Sequence, residues 1–506
     1  MTDVFLCAHR RTPIGRHGGA LAMIRPDDMA AHVIDGLLDL YPGLSVDEVI
    51  LGCANQAGED NRNIARMAVL LSRLPDTVPG LTVNRLCASG LDAVIAGARA
   101  IRDGAEVVIA GGVESMTRAP FVMGKAETAF SRKAEIHDTT IGWRFVNDRI
   151  ARAYGTDSMP ETAENVAEAY GISREDQDAF AFRSQSRYSA AWHAADILSV
   201  TVRSGKGDAV VDRDEHPRPT TPEKLAALTA PFRAGGTVTA GNAAGINDGA
   251  SAVILASATG ARRHGLTPLA RIGAAATAGV APRVMGIGPV AAVERLCART
   301  GRSADSHDIV EVNEAFAAQV LACLRLWGIP DDAPHVNAYG GGLSMGHPLG
   351  MSGARIAGTA ARRLAETGGK SALVTLCVGV GQGVAQVLGE AVGDFAGLRV
   401  HLGFEAVLTA VCFIRDDHHI TPRGERLCDL AELLQGRENH AARCTAQDLL
   451  QIFAALCLHR RLPDQVAAHR ERREELVVEI VPVGQHHQCG VGHRRVSDQL
   501  PGIERH

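Results

Sequence analysis

Short apolar runs alternate with stretches whose apolar positions recur every three or four residues, from the start of the chain to about Gly393. The first pattern marks buried strands and the second amphipathic helices, so the alternation predicts a mostly parallel sheet covered by helices. Strands are predicted at Val49–Gly52, Gly80–Val83 and Val107–Ala110, with helices over Asn63–Leu74 and Gly90–Arg102 between them. The plan then repeats, with strands at Ile309–Val312 and Leu373–Leu376, helices over Ala315–Trp327 and Ser352–Glu366, and a last strand at Val384–Leu388. In each half a chemistry-bearing residue, Cys87 or His347, stands before a small-residue helix that leads to a strand ending in a glycine turn. Such repetition reads as an internal duplication, one βαβ-rich half for each wall of a site.

Residues 115–247 break the pattern. Met116–Arg152 is rich in Arg, Lys, Phe and Met, and Ser173–Ala195 reads as a polar helix with Ser173 as N-cap and Glu175 behind it. This stretch is predicted as a loop domain inserted into the first half, covering its site and setting specificity. The expected organisation is an N-terminal half over 1–260, a second half over 261–393 and an extension over 394–506.

Composition narrows the class. With 506 residues, 46% of them hydrophobic, the chain can bury more than one core. No apolar stretch approaches the ~20 residues of a membrane span, and Met1–Arg11 lacks the apolar run and cleavage site of a signal peptide. A net charge of −5 gives no reason to expect nucleic acid or an anionic membrane as partner. Eleven cysteines without paired spacing predict reduced thiols in a cytoplasm rather than a disulfide framework.

Three glycine-dense segments carry candidate chemistry: Val83-Asn-Arg-Leu-Cys87-Ala-Ser-Gly90, Gly340 to Gly350 around His347, and Leu376-Cys377-Val-Gly379-Val-Gly381-Gln-Gly383. Cys87, at a predicted helix N-terminus, is expected to be biased toward the nucleophilic thiolate by the peptide dipoles, with Ala88-Ser89-Gly90 leaving room for substrate. The bland reading, a buried structural thiol, suits Cys7, Cys53, Cys297 and Cys323 better. His347 is held extended by Pro348, and Gly346 and Gly350 leave space beside its ring. The glycines after Cys377 expose backbone N–H groups where an oxyanion can develop. Asn313, between a strand and a helix, can hold a water against His347 and can also cap the helix. A nucleophilic thiol, an imidazole and a second, proton-carrying thiol are what carbon–carbon bond exchange through an acyl-enzyme requires.

Over about residues 1–393 these segments, together with Ala-Gly241-Asn-Ala-Ala-Gly-Ile-Asn-Asp-Gly249, Asn313-Glu-Ala-Phe-Ala317 and Gly346-His-Pro-Leu-Gly-Met-Ser-Gly353, resemble the thiolase family of acetyl-CoA C-acyltransferases. The resemblance implies an α/β fold of duplicated βαβ-rich halves with an inserted loop domain. It makes Cys87 the acylated nucleophile, His347 its activator and Cys377 the proton carrier. Asn313, acting through a water, forms one oxyanion hole with His347, and the N–H groups of Cys87 and Gly379 form the other. It implies coenzyme A and acyl-CoA as substrates, no metal or other cofactor, and a homodimer or homotetramer. For coenzyme A it points to Arg218 in Glu215-His-Pro-Arg218 and to Ala244 and Gly245, where many members carry a serine in place of Ala244. The segments Asp138-Thr-Thr-Ile-Gly-Trp143-Arg144-Phe145 and Asp157-Ser-Met159-Pro resemble 3-oxoadipyl-CoA thiolases, whose dicarboxylic acyl chain needs a distal cation. Among Arg118, Lys125, Arg132, Lys133, Arg144 and Arg149, Arg144 is the choice. Acetoacetyl-CoA and medium-chain 3-ketoacyl-CoA thiolases remain alternatives, as does a non-catalytic lipid-binding relative. A β-ketoacyl synthase, which uses two histidines, is disfavoured by Cys377.

The extension stands apart, holding ten of the twenty histidines and five of the eleven cysteines. Helical spacing at Leu427–Leu434 and Leu449–Leu458, a strand pattern at Glu475–Ile480 and the cluster of metal-capable side chains His486-His487-Gln-Cys489-Gly-Val-Gly-His493, which lacks the paired cysteine spacing of a zinc site, fit either an appended partner-binding segment or a non-native reading frame.

Overall fold

The first strand, β1 (Val4–Arg11), runs through the middle of one large sheet, with the two halves of the chain extending from it in opposite directions. The computed structural model describes residues 2–203 and 207–391, so the elements and metal-capable cluster expected in 394–506 lie outside the described residues. The first half adds β2 (Glu48–Gly52), β3 (Gly80–Val83), β4 (Val107–Ser115) and β5 (Asn247–Ser257). The second contributes β6 (Ala270–Gly279), β7 (Ile309–Val312), β8 (Ser371–Val378) and β9 (Gln382–Gly389). Gly15–Arg16 pairs on the start of β5 and completes a ten-stranded sheet.

The order is β3-β2-β4-β5-β1-β6-β9-β8-β7. Counted outward from the β1–β6 junction, each half runs first strand, last strand, penultimate strand, second strand. β3 follows in one half, and the parallel bridge of Val336 to Val310 takes that place in the other. This repeated order is the structural form of the expected duplication.

The sheet is mixed, not mostly parallel as the alternation predicts. Only β2 with β3 and β4, and β7 with β8, pair in parallel, whereas β5 and β9 run antiparallel to both neighbours. β9 follows β8 after the turn Gly379–Gly381, and so short a connection permits only an antiparallel return.

Alternation along the strands separates three cores. Val49 and Leu51 face α1 (Pro26–Leu40) and α2 (Ile64–Leu71), while Ile50 faces α3 (Ser89–Arg102). The middle core joins Leu91, Val94 and Ala98 of α3 to strands of both halves and to Ile356, Ala357 and Ala360 further along the chain. Between β4 and β5, residues 116–246 form the ribbon of Phe121–Met123 with Ile136–Asp138, then α4 (Met159–Tyr170) and α5 (Arg174–Arg187). The predicted helix Ser173–Ala195 stops at Arg187 because Ser189 caps a separate turn, Ala190–Ala194, by accepting the Trp192 N–H at 3.3 Å. Val166 of α4 and Phe180 of α5 pack with α6 (Gly288–Thr300) and α7 (Ala317–Trp327) on the outer face of the second half. The middle core's Ile356, Ala357 and Ala360 belong to α8 (Leu349–Thr367), so α3 and α8 form a buried layer between sheet halves. No helix of the described residues is long and apolar enough to cross a membrane.

Candidate active site

Cys87 lies in the 3-10 turn Leu86–Ala88 just before α3, and that turn packs against α8 and β8. The turn is strained, with Leu86 at φ +45°. Neighbouring side chains hold it there: Asn84 Oδ1 accepts the Leu86 N–H at 2.9 Å, and Ser89 Oγ accepts the Arg85 N–H at 2.9 Å while donating to the Leu86 carbonyl at 2.7 Å. Arg85 also pairs with Asp92 and donates to Gln382 Oε1 at 3.0 Å, tying the turn to the start of β9.

Gly90 does not make room for substrate. A side chain there would collide with the Gly350 carbonyl and stand 2.8 Å from the Ala354 N, so the glycine lets the first turns of α3 and α8 touch through backbone. Gly350 likewise packs on carbonyls of Gly52 and Val113, and Gly346, at φ +103°, lies against the Asn247 side chain. The space expected beside the imidazole is thus filled by protein. These glycines bring the Cys87 turn and the His347 loop together.

His347 is buried, and its partners settle which ring nitrogen carries the proton. Ser352 Oγ donates to the Pro348 carbonyl at 2.8 Å, so its lone pairs face His347 Nδ1, 2.6 Å away. Nδ1–H therefore donates to Ser352, and Nε2 is left with its lone pair, 3.3 Å from Asn313 Nδ2. The His347 N–H donates to Asn247 Oδ1 at 2.9 Å, and Asn247 Nδ2 donates to the Gly15 carbonyl at 2.9 Å. Asn313 is no helix cap, because α7 begins only at Ala317, and its buried Oδ1 has no protein partner.

Cys377 is the penultimate residue of the buried strand β8, and Gly379 opens the turn that follows. The N–H groups of Gly379 and of Cys87 itself act on the Cys87 sulfur and favour its charged form. Of the glycines in this motif only Gly379 serves that purpose. Gly381, at φ +79°, and Gly383 allow close approach of the Val280 and Gly288 carbonyls. Cys377 packs with Ala163, Met285 and Phe316, and Met159, the first residue of α4, leans on this cluster. The Met159 sulfur lies 3.8 Å from where a Gly379 side chain would begin.

Desolvation is the largest electrostatic influence on all three groups. Burial pushes the Cys87 thiol up to about 11 and outweighs the two N–H groups that pull it down, while the buried Glu114 carboxyl adds to the rise. Desolvation thus opposes the pull of the dipole at the helix start on this thiol. Burial, helped by the positive charge of Arg355, drops His347 to about 3, and burial raises Cys377 well above its ordinary value, with Cys87 adding to the effect. In this state Cys87 carries a neutral thiol and His347 a neutral imidazole with its lone pair on Nε2.

The binding candidates are more dispersed. Ala244 donates its N–H to the Ala315 carbonyl at 2.9 Å and Ala243 bridges to Phe316, so this loop lies along the Asn313 segment. Gly245 leaves room for the His216 ring. Arg218 is exposed and donates to the Ala240 carbonyl at 3.2 Å. Half-buried Arg144 donates to Asn55 Oδ1 at 3.2 Å, whereas Arg118 is taken up by Glu59 and Lys125, Arg132, Lys133 and Arg149 are exposed. Trp143, Met159 and Val380 line one small cleft.

Asn247, Ser352 and Glu114 gained no role from sequence, since each acts on a distant partner. Glu114 accepts N–H groups of Ala54, Asn55 and Gly350 at 2.9 to 3.0 Å, clamping the β2 end to the start of α8. With Cys53 and Asp60 it forms the one cluster of metal-capable atoms within 4.8 Å among the described residues. There, however, the Cys53 thiol donates to the Asn55 carbonyl at 3.1 Å and Asp60 accepts the Gly58 N–H at 2.9 Å, so the donors are internally engaged.

Comparison with known proteins bears on the same residues. The thiolase N-terminal domain matches residues 4–259, and the thiolase C-terminal domain matches 266–390. The 3-oxoadipyl-CoA/3-oxo-5,6-dehydrosuberyl-CoA thiolase of Escherichia coli K12 is 59% identical over 398 residues, 77% of this chain and 99% of its own. The beta-ketoadipyl-CoA thiolase of Pseudomonas aeruginosa is 57% identical over 392 residues, 76% of this chain and 98% of its own. The crystal structure of Bacillus anthracis acetyl-CoA acetyltransferase superposes with a TM-score of 0.70 at 38% identity, covering 77% of this chain and 99% of that one. Two matched domains that account for both sheet halves, and for the thiols and imidazole between them, leave one assignment: the chain belongs to the thiolase family.

Proposed function

We propose that this chain catalyses thiolytic cleavage of 3-oxoadipyl-CoA by coenzyme A, giving succinyl-CoA and acetyl-CoA. The observation that carries the substrate is the gap between 57–59% identity to thiolases named for 3-oxoadipyl-CoA and 38% to an acetyl-CoA acetyltransferase. In this reading Cys87 Sγ attacks the C3 carbonyl as its proton passes to His347 Nε2, the nitrogen that Ser352 leaves unprotonated. The C2–C3 bond breaks, the Cys377 thiol protonates C2, and acetyl-CoA departs. The Cys377 thiolate then takes the proton of the coenzyme A thiol, whose sulfur attacks the succinyl thioester on Cys87. As that bond breaks, Cys87 recovers its proton from His347.

Both oxyanions need donors. The N–H groups of Cys87 and Gly379 are assigned to the oxygen of the Cys87 adduct, and Asn313 with His347 to the acetyl-CoA enolate. Losing one such donor typically costs about 10²–10³ in rate. Arg218 and the loop of Ala244 and Gly245 are assigned to coenzyme A, Met159 to the acyl pocket, and Arg144 to the distal carboxylate. A cytoplasmic homodimer or homotetramer, organised as two halves over 1–260 and 261–393 with an insert near 115–247, completes the reading.

The test is steady-state thiolysis of 3-oxoadipyl-CoA against acetoacetyl-CoA by the purified chain and by Arg144→Met. The wild type should prefer the dicarboxylic thioester. Arg144→Met should raise its KM tenfold to hundredfold, the worth of a charge-assisted hydrogen bond of about 1.5–3 kcal/mol. Preference for acetoacetyl-CoA would defeat the substrate assignment.

A further inference from the structure

Arg144 lies on a segment without regular secondary structure, yet recognition of a small carboxylate needs its guanidinium in one place. A free arginine side chain carries about 2 kcal/mol of rotamer entropy that binding would have to remove. Only one side chain holds it among the described residues: Arg144 donates to Asn55 Oδ1 at 3.2 Å, and no carboxylate lies within ion-pair distance. The orientation of the Asn55 amide is itself determined. Its Nδ2 faces two acceptors, the Thr139 carbonyl at 3.2 Å and Thr139 Oγ1 at 3.1 Å, the hydroxyl proton being committed to the Pro120 carbonyl at 2.6 Å. A flipped amide would set oxygen against the carbonyl, so Oδ1 must point at Arg144.

The other end of Asn55 is anchored to the catalytic side. Its N–H donates to Glu114 Oε1 at 3.0 Å, and the preceding Ala54 carbonyl accepts from Asn84 Nδ2 at 2.8 Å, three residues before Cys87. Resting on the assignment of Arg144 to the distal carboxylate, we infer that Asn55 and Thr139 are positioning residues for substrate selectivity: a neutral amide, locked by Thr139, that registers the Arg144 guanidinium to the Cys87 turn. The neutrality matters. A carboxylate at position 55 would satisfy the guanidinium and compete with the substrate, whereas an amide oxygen orients the cation and leaves its charge for a dicarboxylic acyl chain.

The experiment measures kcat and KM for 3-oxoadipyl-CoA and acetoacetyl-CoA, taking the ratio of the two kcat/KM values, in wild type, Asn55→Asp, Thr139→Val, Thr139→Ser, Arg144→Met and Asn55→Asp/Arg144→Met. Asn55→Asp should lower the ratio about tenfold and Thr139→Val about threefold, the range of one neutral hydrogen bond, with the change in KM of the dicarboxylic substrate. Thr139→Ser, which keeps both acceptors, should restore it, and Asn55→Asp should have no further effect once Arg144 is gone. If Arg144→Met lowers the ratio while Asn55→Asp and Thr139→Val do not, or if the losses in the double variant multiply, the positioning role is wrong and the Arg144 assignment stands. If Arg144→Met leaves the ratio unchanged, that assignment falls and takes this inference with it. Should Asn55→Asp misfold, the Thr139 pair decides alone.

Discussion

Ser352→Ala isolates the step on which the proposed mechanism depends. The substitution removes the acceptor 2.6 Å from His347 Nδ1 and nothing else of consequence. The Pro348 carbonyl, which also loses the Ser352 hydroxyl, still accepts the Ser352 N–H at 3.0 Å. What remains is a buried imidazole N–H with no partner, costing about 1–3 kcal/mol. The ring has an escape: it can move its proton to Nε2, toward Asn313, whose buried Oδ1 lacks a partner and would accept it after an amide flip. That tautomer relieves the orphan but removes the lone pair needed to take the Cys87 proton. At 1.4 kcal/mol per tenfold, the productive tautomer falls to about a tenth to a hundredth of its population, and kcat should fall with it. KM for the acyl-CoA should change little, because Ser352 is buried behind the imidazole. The assay is thiolysis kcat and KM alongside a melting curve, with the imidazole tautomer read from ring-nitrogen NMR shifts. Wild-type kcat in a variant lacking the hydroxyl, or an unchanged tautomer, would refute the reasoning.

Three further outcomes are expected. Because burial holds the Cys87 thiol near 11, its alkylation by iodoacetamide should keep accelerating as pH rises from 7 to 10, followed by mass spectrometry of the Cys87 peptide; a plateau already reached at pH 7 would mean a resting thiolate. Cys377→Ala should still form an acyl-enzyme on Cys87 from an activated thioester while exchange of the acetyl-CoA α-protons collapses by orders of magnitude, and wild-type exchange would reassign the proton carrier. A chain ended after Gly393 should keep its thiolysis rate and melting temperature, with no inhibition by a chelator, since every residue assigned to chemistry precedes Gly383; loss of activity in a soluble, folded truncation would make 394–506 part of the enzyme.

The amino-acid sequence by itself determined the things that local pattern encodes. Apolar runs placed β2, β7 and β8 to within two residues and the start of β4, because a strand with both faces buried must be largely apolar, and the glycine-dense motifs singled out Cys87, His347 and Cys377 as candidates. Local pattern misjudged whatever depends on a partner distant in the chain. β5 and β9 run antiparallel, a direction that the apolar run itself cannot carry. Gly90, Gly346 and Gly350 looked like space for a ligand, but only the crossing of α3 and α8 shows them as contacts between backbones. The electrostatics of Cys87 likewise depends on distant partners. A helix dipole is visible in sequence, whereas the desolvation that opposes it arises only when the Leu86–Ala88 turn packs on α8 and β8. Ser352 and Asn247 acquire meaning only once folding sets them 2.6 and 2.9 Å from atoms of His347, one choosing its tautomer and the other fixing its backbone.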